Sequence, residues 1–297
     1  MKEQDFKSRT LAGIVSYQPD IERLQQNIEA VLRNGIQSIV VVDNGSGNRD
    51  RVDALTKNYP NITLIQNEKN EGIACALNQL FQEAERQGCF DWVLTLDQDS
   101  IIDDVLLEVY GQYYTGEEDV VSISSLWWER TYGEGIRHGQ EPTEYVNRCI
   151  TSGNLVQLQA WRAAGGFENR LFIDMVDYDF CYRLLERGYR ILRINRPCIL
   201  HELGKPTAVK FLGKERVVLN HSAFRKYYIV RNYLYLLRNY DYAREDGDSY
   251  GFLLRYCVKA ILLEKEDRWN KLLSILRGVH DGLRMKRYPT VNGAGTR

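Results

Sequence analysis

Trp92-Val93-Leu94-Thr95-Leu96-Asp97-Gln98-Asp99-Ser100 decides how this chain is read. An apolar run of strand type ends on two carboxylates. In an extended backbone, residues i and i+2 leave the same side, so Asp97 and Asp99 are expected to face one ligand. Two hard oxygen ligands at a strand end suit Mg²⁺ or Mn²⁺ bound jointly with a phosphate-bearing substrate. Spacing alone is a weak signal, because Asp-x-Asp recurs at Asp177/Asp179 and at Asp246/Asp248. The first copy differs in following a buried strand, where ligands bind in open α/β sheets.

Upstream, apolar strands alternate with amphipathic helices. Leu11 to Tyr17 reads as a buried strand stopped by Pro19, with Asp20 placed to cap a helix whose apolar face is Ile21, Leu24, Ile28, Val31 and Leu32. Gly35 ends that helix. Ile36 to Val42 is a second strand closing on Asp43-Asn44-Gly45, and Ile62 to Ile65 a third. This alternation predicts an α/β fold with a mostly parallel sheet and right-handed crossovers. Neither a Gly-x-Gly-x-x-Gly turn nor a Walker lysine loop is present, so a nucleotide would be held another way. Asp43 is a candidate for a base or ribose contact, although Asp-Asn-Gly is also what an ordinary turn requires. Asn70-Glu71-Gly72-Ile73-Ala74 opens a helix whose small first residues would let a substrate approach its free N–H groups.

Downstream, residues 125–150 lose periodicity and read as a long loop of the kind that carries function. Asp174, Asp177 and Asp179 follow in six residues, with a helix expected from about Val176 to Gly188. The helix dipole alone favours acids in a first turn, by roughly 0.3–1 kcal/mol each. Three of them between apolar stretches point further, to a site. His201, just past a strand, is a packed surface residue or a further metal ligand. Beyond about residue 220 the pattern is helical. Aromatic and aliphatic residues there are interleaved with Arg225, Lys226, Arg231, Arg238, Arg255, Lys259 and Arg277. Such a face fits a helix lying on an anionic membrane surface. It equally fits a helical hairpin packed on the catalytic core or on another subunit, a second copy in a homo-oligomer included.

Bulk properties bound the function. The chain has 297 residues, 44% hydrophobic and 27% charged, with net charge −1. That is a globular composition without the basic footprint of a nucleic-acid binder. The polar start, Met1 to Thr10, does not read as a secretory signal, and no apolar run reaches the length of a spanning helix. The six cysteines lack Cys-x-x-Cys or paired spacing, which favours reduced thiols and a cytoplasmic setting.

Taken in order, these segments resemble an inverting glycosyltransferase of the GT-A, family 2 type, and within it the bacterial subgroup that uses dTDP-L-rhamnose. The residues that carry the likeness are Ile14 to Pro19, Val42 to Ser46, Asn67-x-x-Asn70-x-Gly72-Ile73-Ala74 with Asn78, Leu96 to Ser100, Ser152-Gly153-Asn154, Gly165-Gly166-Phe167, Leu171-Phe172-Ile173-Asp174-x-Val176-Asp177, His201 to Gly204, and Phe224 to Asn232. They span roughly residues 10–240. The resemblance implies a catalytic domain over 1–220 with a helical extension over 221–297. Ser16, Tyr17 and Asp43 would hold the nucleoside, with Asn70 and Gly72 beside the donor. Asp97 would lie near the ribose and phosphates, where it could also reach the metal. Asp99 and His201 would bind Mn²⁺ or Mg²⁺ on the diphosphate. Asp177 aligns with the catalytic base, with Asp174 and Asp179 as supporting acids, while Arg225 and Arg231 would contact the diphosphate or the acceptor. Many relatives carry a third acid where this chain has Gln98. The expected partners are a nucleotide sugar, dTDP-L-rhamnose, and a saccharide or lipid-linked saccharide acceptor at the inner membrane face. A UDP-sugar donor and a non-catalytic sugar-nucleotide-binding subunit are the competing readings.

Overall fold

A computed structural model describes residues 3–129, 141–201, 207–211, 214–218, 220–264 and 266–287. A short helix, α1 (Glu3–Ser8), precedes an alternating series: β1 (Thr10–Ser16), α2 (Ile21–Arg33), β2 (Ser38–Asp43), α3 (Arg49–Thr56), β3 (Ile62–Gln66), α4 (Ile73–Gln87) and β4 (Trp92–Asp97). Then come β5 (Ile101–Ile102), α5 (Leu106–Tyr113), β6 (Val120–Glu129), β7 (Thr143–Val146), β8 (Asn154–Gln157), α6 (Leu158–Ala164), a 3-10 turn (Asn169–Leu171), α7 (Val176–Leu185) and β9 (Arg190–His201). A separate hairpin, β10 (Thr207–Phe211) with β11 (Lys214–Val218), leads to α8 (Ala223–Asn239), α9 (Asp241–Glu245), α10 (Tyr250–Leu263) and α11 (Arg268–Arg284).

The main sheet has the order β3-β2-β1-β4-β8-β6-β9-β5, with β7 also on β9. Strands β3, β2, β1 and β4 are parallel, as the alternation predicts. β1, β2 and β4 are buried on both faces, which explains their apolar runs, while β3 at the sheet edge is only partly buried. The chain runs from β1 outward to β3, then returns to place β4 on the other side of β1. The strand order therefore reverses between β1 and β4, and a crevice opens beyond their carboxyl ends.

The second half of the sheet departs from the sequence reading. β8 enters antiparallel between β4 and β6, and β5 and β7 run antiparallel to β9. β6 continues to Glu129, paired in parallel with β9 through register shifts near Val120, Ser125 and Leu126. Part of the 125–150 stretch is thus sheet rather than loop. The bulges break the two-residue alternation, which hides the strand from periodicity.

Caps follow the sequence more closely. The Asp20 carboxylate accepts the N–H groups of Glu22 and Arg23 at the start of α2. α4 starts differently: Gly72, at φ 87°, occupies the cap position without a side-chain hydrogen bond. A Cβ there would lie 2.7 Å from Phe172, so the close approach of the two segments requires glycine.

The C-terminal helices pack into the same core. Val230, Tyr233, Leu234 and Tyr235 of α8 share an apolar cluster with α4, α6 and α7. α11 crosses α8 at close range, where a Cβ on Gly278 or Gly282 would meet the backbone oxygens of Tyr227 or Arg231 at 2.7 Å. Three buried charges join the helices: Glu264, just past α10, receives Lys226 of α8 at 2.7 Å and Lys271 of α11 at 2.9 Å. All three side chains are less than 5% exposed, so each depends on the others for solvation. Burial pulls the Lys226 ammonium below its ordinary range, and Glu264 opposes that shift. We expect Glu264→Ala to cost about 3–5 kcal/mol, because two buried cations lose their shared anion. Urea unfolding followed by circular dichroism measures this, and a loss below about 1 kcal/mol would mean that the pair is not needed to hold the helices together.

Candidate functional site

The site forms where α7 meets the carboxyl end of β4. Loop 172–175 leads into α7 through three non-glycine residues with positive φ: Phe172 (63°), Asp174 (64°) and Met175 (63°). Such conformations cost of order 1–3 kcal/mol each and persist only where surroundings impose them. Here α8 imposes them. The Asn232 carboxamide donates to the carbonyls of Leu171, Ile173 and Asp174 at 2.8, 2.8 and 2.9 Å. Arg231 donates to the carbonyls of Arg170 and Leu171, and Arg225 forks onto the Asp174 carboxylate at 2.9–3.3 Å. From the other side, the Ile73 N–H at the start of α4 donates to the Phe172 carbonyl at 2.6 Å.

This loop walls a cavity of about 380 Å³, lined by Asp97, Thr151, Asp174, Asp177, Tyr178 and Arg225 with Ile73, Leu77, Ile173, Met175 and Val176. A comparable depression of about 430 Å³ lies at the opposite end of β4, around Phe90, Asp91 and Arg162. It gathers no cluster of carboxylates and sits away from the crevice, so the chemistry belongs to the smaller cavity.

Asp177 opens the first turn of α7 and faces this cavity. Its carboxyl is pushed up to about 7. Desolvation is the main cause, the Tyr178 and Asp177 backbone N–H groups oppose it, and the negative charges of Asp174 and Asp97 add to it. Asp179 has another fate. Fully buried, it pairs with Arg183 at 2.8 Å and accepts the Tyr240 hydroxyl at 2.7 Å. It braces α7 and does not line the cavity. The third Asp-x-Asp is a structural knot as well: Asp246 and Asp248 hold Arg148, with Tyr182 and Tyr233 donating to them at 3.0 Å. Arg148 in turn lies over the Tyr178 ring, 4.6 Å from its centre.

At β4 the expectation of two carboxylates on one extended face meets a turn. The strand ends at Asp97, and the Ser100 N–H donates to the Asp97 carbonyl at 3.2 Å. Asp99 is therefore aimed by a turn, not by strand alternation. Gln98 fastens that turn to β1, its side-chain oxygen accepting the Tyr17 N–H at 2.7 Å. Asp99 is partly buried, with no hydrogen bond or ion pair among the described residues. No group of three or more His, Cys, Asp or Glu ligands is assembled among the described residues. The His201 side chain lies outside the described part, its backbone ending β9. Two strand-end carboxylates nevertheless fit Mg²⁺ or Mn²⁺, which take further ligands from substrate phosphates and water.

The remaining predicted residues lie along the crevice. Asp43 is fully buried at the end of β2. One carboxylate oxygen accepts the Ser46 N–H at 3.2 Å, and the other is buried without a partner among the described residues. Ser16 is buried and donates to the Val42 carbonyl, whereas Tyr17 stays 46% exposed. Asn70 accepts from Gly72 N–H and from Asn44, within an amide network that includes Asn67 and Gln79. It shapes the loop before α4. Arg231 is likewise spent on loop carbonyls and on the rings of Tyr227 and Tyr228. Sequence reasoning missed Thr151 and Tyr178 as cavity residues and Asn232 as the clasp. It also missed His221, which burial, with Arg225 and Lys226, pulls down to about 4 and so keeps neutral at pH 7.

Raising the Asp177 value has a measurable consequence. The folded-state value, about 7, lies above the unfolded one near 4, so the native state holds this proton more tightly. Its stabilising effect is complete below about pH 4 and is lost as pH rises towards about 7. Asp177→Asn lacks that loss. Its thermal midpoint, relative to the parent chain, should climb between roughly pH 4 and pH 7 and then level off; a constant difference across that range would show that Asp177 is not desolvated.

A family model described as "Glycosyl transferase family 2" matches residues 13–179, more than half of the chain. Over 251 residues the chain is 28% identical to the dTDP-rhamnosyl transferase RfbF of Shigella flexneri, covering 78% of this chain and 81% of the relative. Among solved structures, residues 1–349 of TarS of S. aureus, in complex with UDP-GlcNAc, superpose with a TM-score of 0.60 at 14% identity, over 93% of this chain and 81% of that 1–349 chain. The mannosyltransferase PcManGT of Pyrobaculum calidifontis, in complex with GDP-Man and Mn²⁺, gives 0.54 at 15% identity, over 95% and 77%. The fold is that of the GT-A enzymes, and the chain belongs to glycosyl transferase family 2.

Proposed function

We propose that this glycosyltransferase moves L-rhamnose from dTDP-β-L-rhamnose to a hydroxyl of a saccharide acceptor, with inversion at the anomeric carbon and Asp177 as general base. The observation that carries the reading is the Asp177 carboxylate, desolvated to about 7 in a cavity it shares with Asp97 and Arg225. A base with that value is half-ionised at neutral pH and strong enough to take a proton as it is released. The 28% likeness to a dTDP-rhamnosyl transferase supports the donor.

The crevice beyond β1, β2 and β4 takes the nucleoside diphosphate. Asp43, with one buried oxygen unpartnered among the described residues, accepts a hydrogen bond from the base or ribose, while Ser16 and Tyr17 form the adjoining wall. At the start of α4 the Gly72 and Ile73 N–H groups are taken by Asn70 and the Phe172 carbonyl, which leaves those of Ala74 and Cys75 for an anionic donor. Asp99 with Asp97, and His201 from β9, would hold Mg²⁺ or Mn²⁺, which supplies positive charge against the leaving diphosphate. The sugar then lies in the cavity between Asp97 and Asp177. The acceptor oxygen bonds to the anomeric carbon as the bond from that carbon to the diphosphate oxygen breaks. The diphosphate leaves with the electron pair, and the acceptor proton passes to Asp177. One displacement inverts the centre, so a β-linked donor gives an α-L-rhamnosyl product. Arg225, half-exposed and fixed by Asp174, places a cation at the cavity wall for the diphosphate or the acceptor. Arg231, Asp174 and Asp179 act as positioning groups that hold the loop and the helix from which Asp177 projects. The fitting acceptor is a lipid-linked saccharide of a cell-surface polysaccharide.

A thermal-shift panel of dTDP, UDP, GDP and dTDP-L-rhamnose, each with and without Mn²⁺, tests the donor. A ligand at 100 times its Kd stabilises by about 2.7 kcal/mol. Metal-dependent shifts with the dTDP compounds alone are expected, and Asp99→Ala should abolish their dependence on metal. A shift with UDP alone would retain the mechanism and replace the sugar. Asp177→Asn should keep the dTDP shift and lower turnover at least ~10²-fold; turnover close to that of the parent chain would move the base elsewhere.

A further inference from the structure

Helices α10 and α11 both turn a narrow column to the protein and leave an apolar one in solvent. In α10 the inward column is Leu253, Cys257 and Ala260; in α11 it is Ile275, Gly278 and Gly282. Both helices pack on α8. On the outward side of α10, Leu254, Val258 and Leu262 follow at four-residue spacing, 65%, 45% and 52% exposed. On that of α11 stand Trp269, Leu273, Leu276 and Leu283, exposed by 79%, 50%, 56% and 51%. Helical spacing of three and four residues puts each set in one stripe. An apolar surface of this extent, with a tryptophan at its edge, is more than the scattered single residues of an ordinary monomer surface.

The charges beside the two stripes are mainly basic. Arg255 and Lys259 sit one position after Leu254 and Val258, and Arg277 and Arg284 one position after Leu276 and Leu283, so each stripe has a basic flank on the same side of its helix. All four are exposed, and none forms an ion pair among the described residues. The acids nearby lie elsewhere. Glu264 is buried between two lysines, Asp281 accepts the Tyr227 hydroxyl on the side towards α8, and Glu266 and Asp267 stay at the turn between the helices. No helix of the described residues is long and apolar enough to cross a membrane.

We infer that the outward faces of α10 and α11 form a docking surface for an anionic lipid bilayer. The stripes enter the boundary between headgroups and acyl chains, and the basic flanks meet the lipid phosphates. A hydrophobic stripe bordered by cations is the pattern of a helix lying in that interface. Arg and Lys side chains held close to an anionic surface are attracted to it. A second copy of the chain fits less well, because a two-fold contact sets the same patch against itself and would bring the basic flanks together with only Glu266, Asp267 and the Tyr227-bound Asp281 nearby to offset them. The docking does not depend on which sugar is transferred.

The test is co-sedimentation of the full chain with phosphatidylcholine vesicles, with and without phosphatidylglycerol, at low and high salt. We expect binding to the anionic vesicles, weakened by salt. The Trp269 emission should shift to the blue on binding, a change missing in Trp269→Phe. The surface variant Leu254→Ser/Leu262→Ser/Leu276→Ser should bind at least about tenfold more weakly, and so should Arg255→Glu/Lys259→Glu/Arg277→Glu. Both sets alter only exposed side chains, and circular dichroism with the thermal midpoint verifies their folding. Equal sedimentation of the parent chain and either variant would overturn the proposal, and so would the absence of binding to anionic vesicles. A concentration-dependent dimer in sedimentation velocity, abolished by the leucine substitutions and unaccompanied by vesicle binding, would give the face to a second copy instead.

Discussion

The Asn232 carboxamide is the constraint from which the site follows. One side chain, buried in α8, holds three backbone carbonyls of loop 171–174 at 2.8–2.9 Å. Without it, Phe172, Asp174 and Met175 would have little reason to remain at positive φ, a region that L-residues other than Asn and Asp seldom occupy. With it, Met175 can sit in the left-handed conformation, and α7 starts abruptly at Val176. The abrupt start projects Asp177 into the cavity while Asp179 turns inward. Asparagine suits the task because its amide donates to several carbonyls without bringing a charge into the core. Arginine at the next position spreads the grip outward to Arg170 and Leu171. The Tyr-Tyr-x-x-Arg-Asn block, one of the segments that carries the family resemblance, is thus a backbone clasp before it is anything else.

Three copies of Asp-x-Asp show how far local pattern reaches. The pair Asp177/Asp179 divides because a helix turns successive even positions by about 200°, so i and i+2 face apart. Arg183, four residues after Asp179, was the local clue to its structural fate. The pair Asp246/Asp248 gave no such clue, since its partner Arg148 is about a hundred residues away in sequence. The pair Asp97/Asp99 sits where a strand-end site was expected, but the turn through Gln98 aims the second acid. That uncharged glutamine ties the turn to the backbone of Tyr17. A polar residue that fixes the geometry between two acids has a structural role that a reading by charge alone passes over.

Legibility followed the range of the forces involved. The β1 to β4 region was readable because its strands are mostly apolar and α2 and α4 carry their own apolar stripes, with a side-chain cap on α2, all signals contained within about 15 residues. The sheet beyond β4 was not. β8 pairs antiparallel between two strands from distant parts of the chain, and the shifts along β6 and β9 scramble the alternation that would have marked them. The resemblance implied separate roles for Asp97, Asp174, Asp177 and Arg225, and the structure places all four around one cavity. The orphaned oxygen of Asp43 and the neutral state of His221 were not expected, since burial and desolvation are properties of the assembled fold.

The C-terminal helices bear on the chemistry more than their distance in sequence suggests. A division near residue 220 separates the alternating region from the helical one along the chain, yet packing crosses it, with Val230, Tyr233 and Leu234 inside the main core. α11 lies against α8 through Gly278 and Gly282, backbone to backbone, and the Lys226–Glu264–Lys271 cluster fixes α8 between α10 and α11. α8 then carries Arg225, Arg231 and Asn232 to the loop. A continuous rigid path therefore runs from the exposed stripes of α10 and α11, through one close helix contact, to the backbone that aims Asp177. Close-packed helices transmit displacement because they have no slack to absorb it. The face proposed to seat on a bilayer and the carboxylate proposed as the base are, in this fold, two ends of the same helix pair.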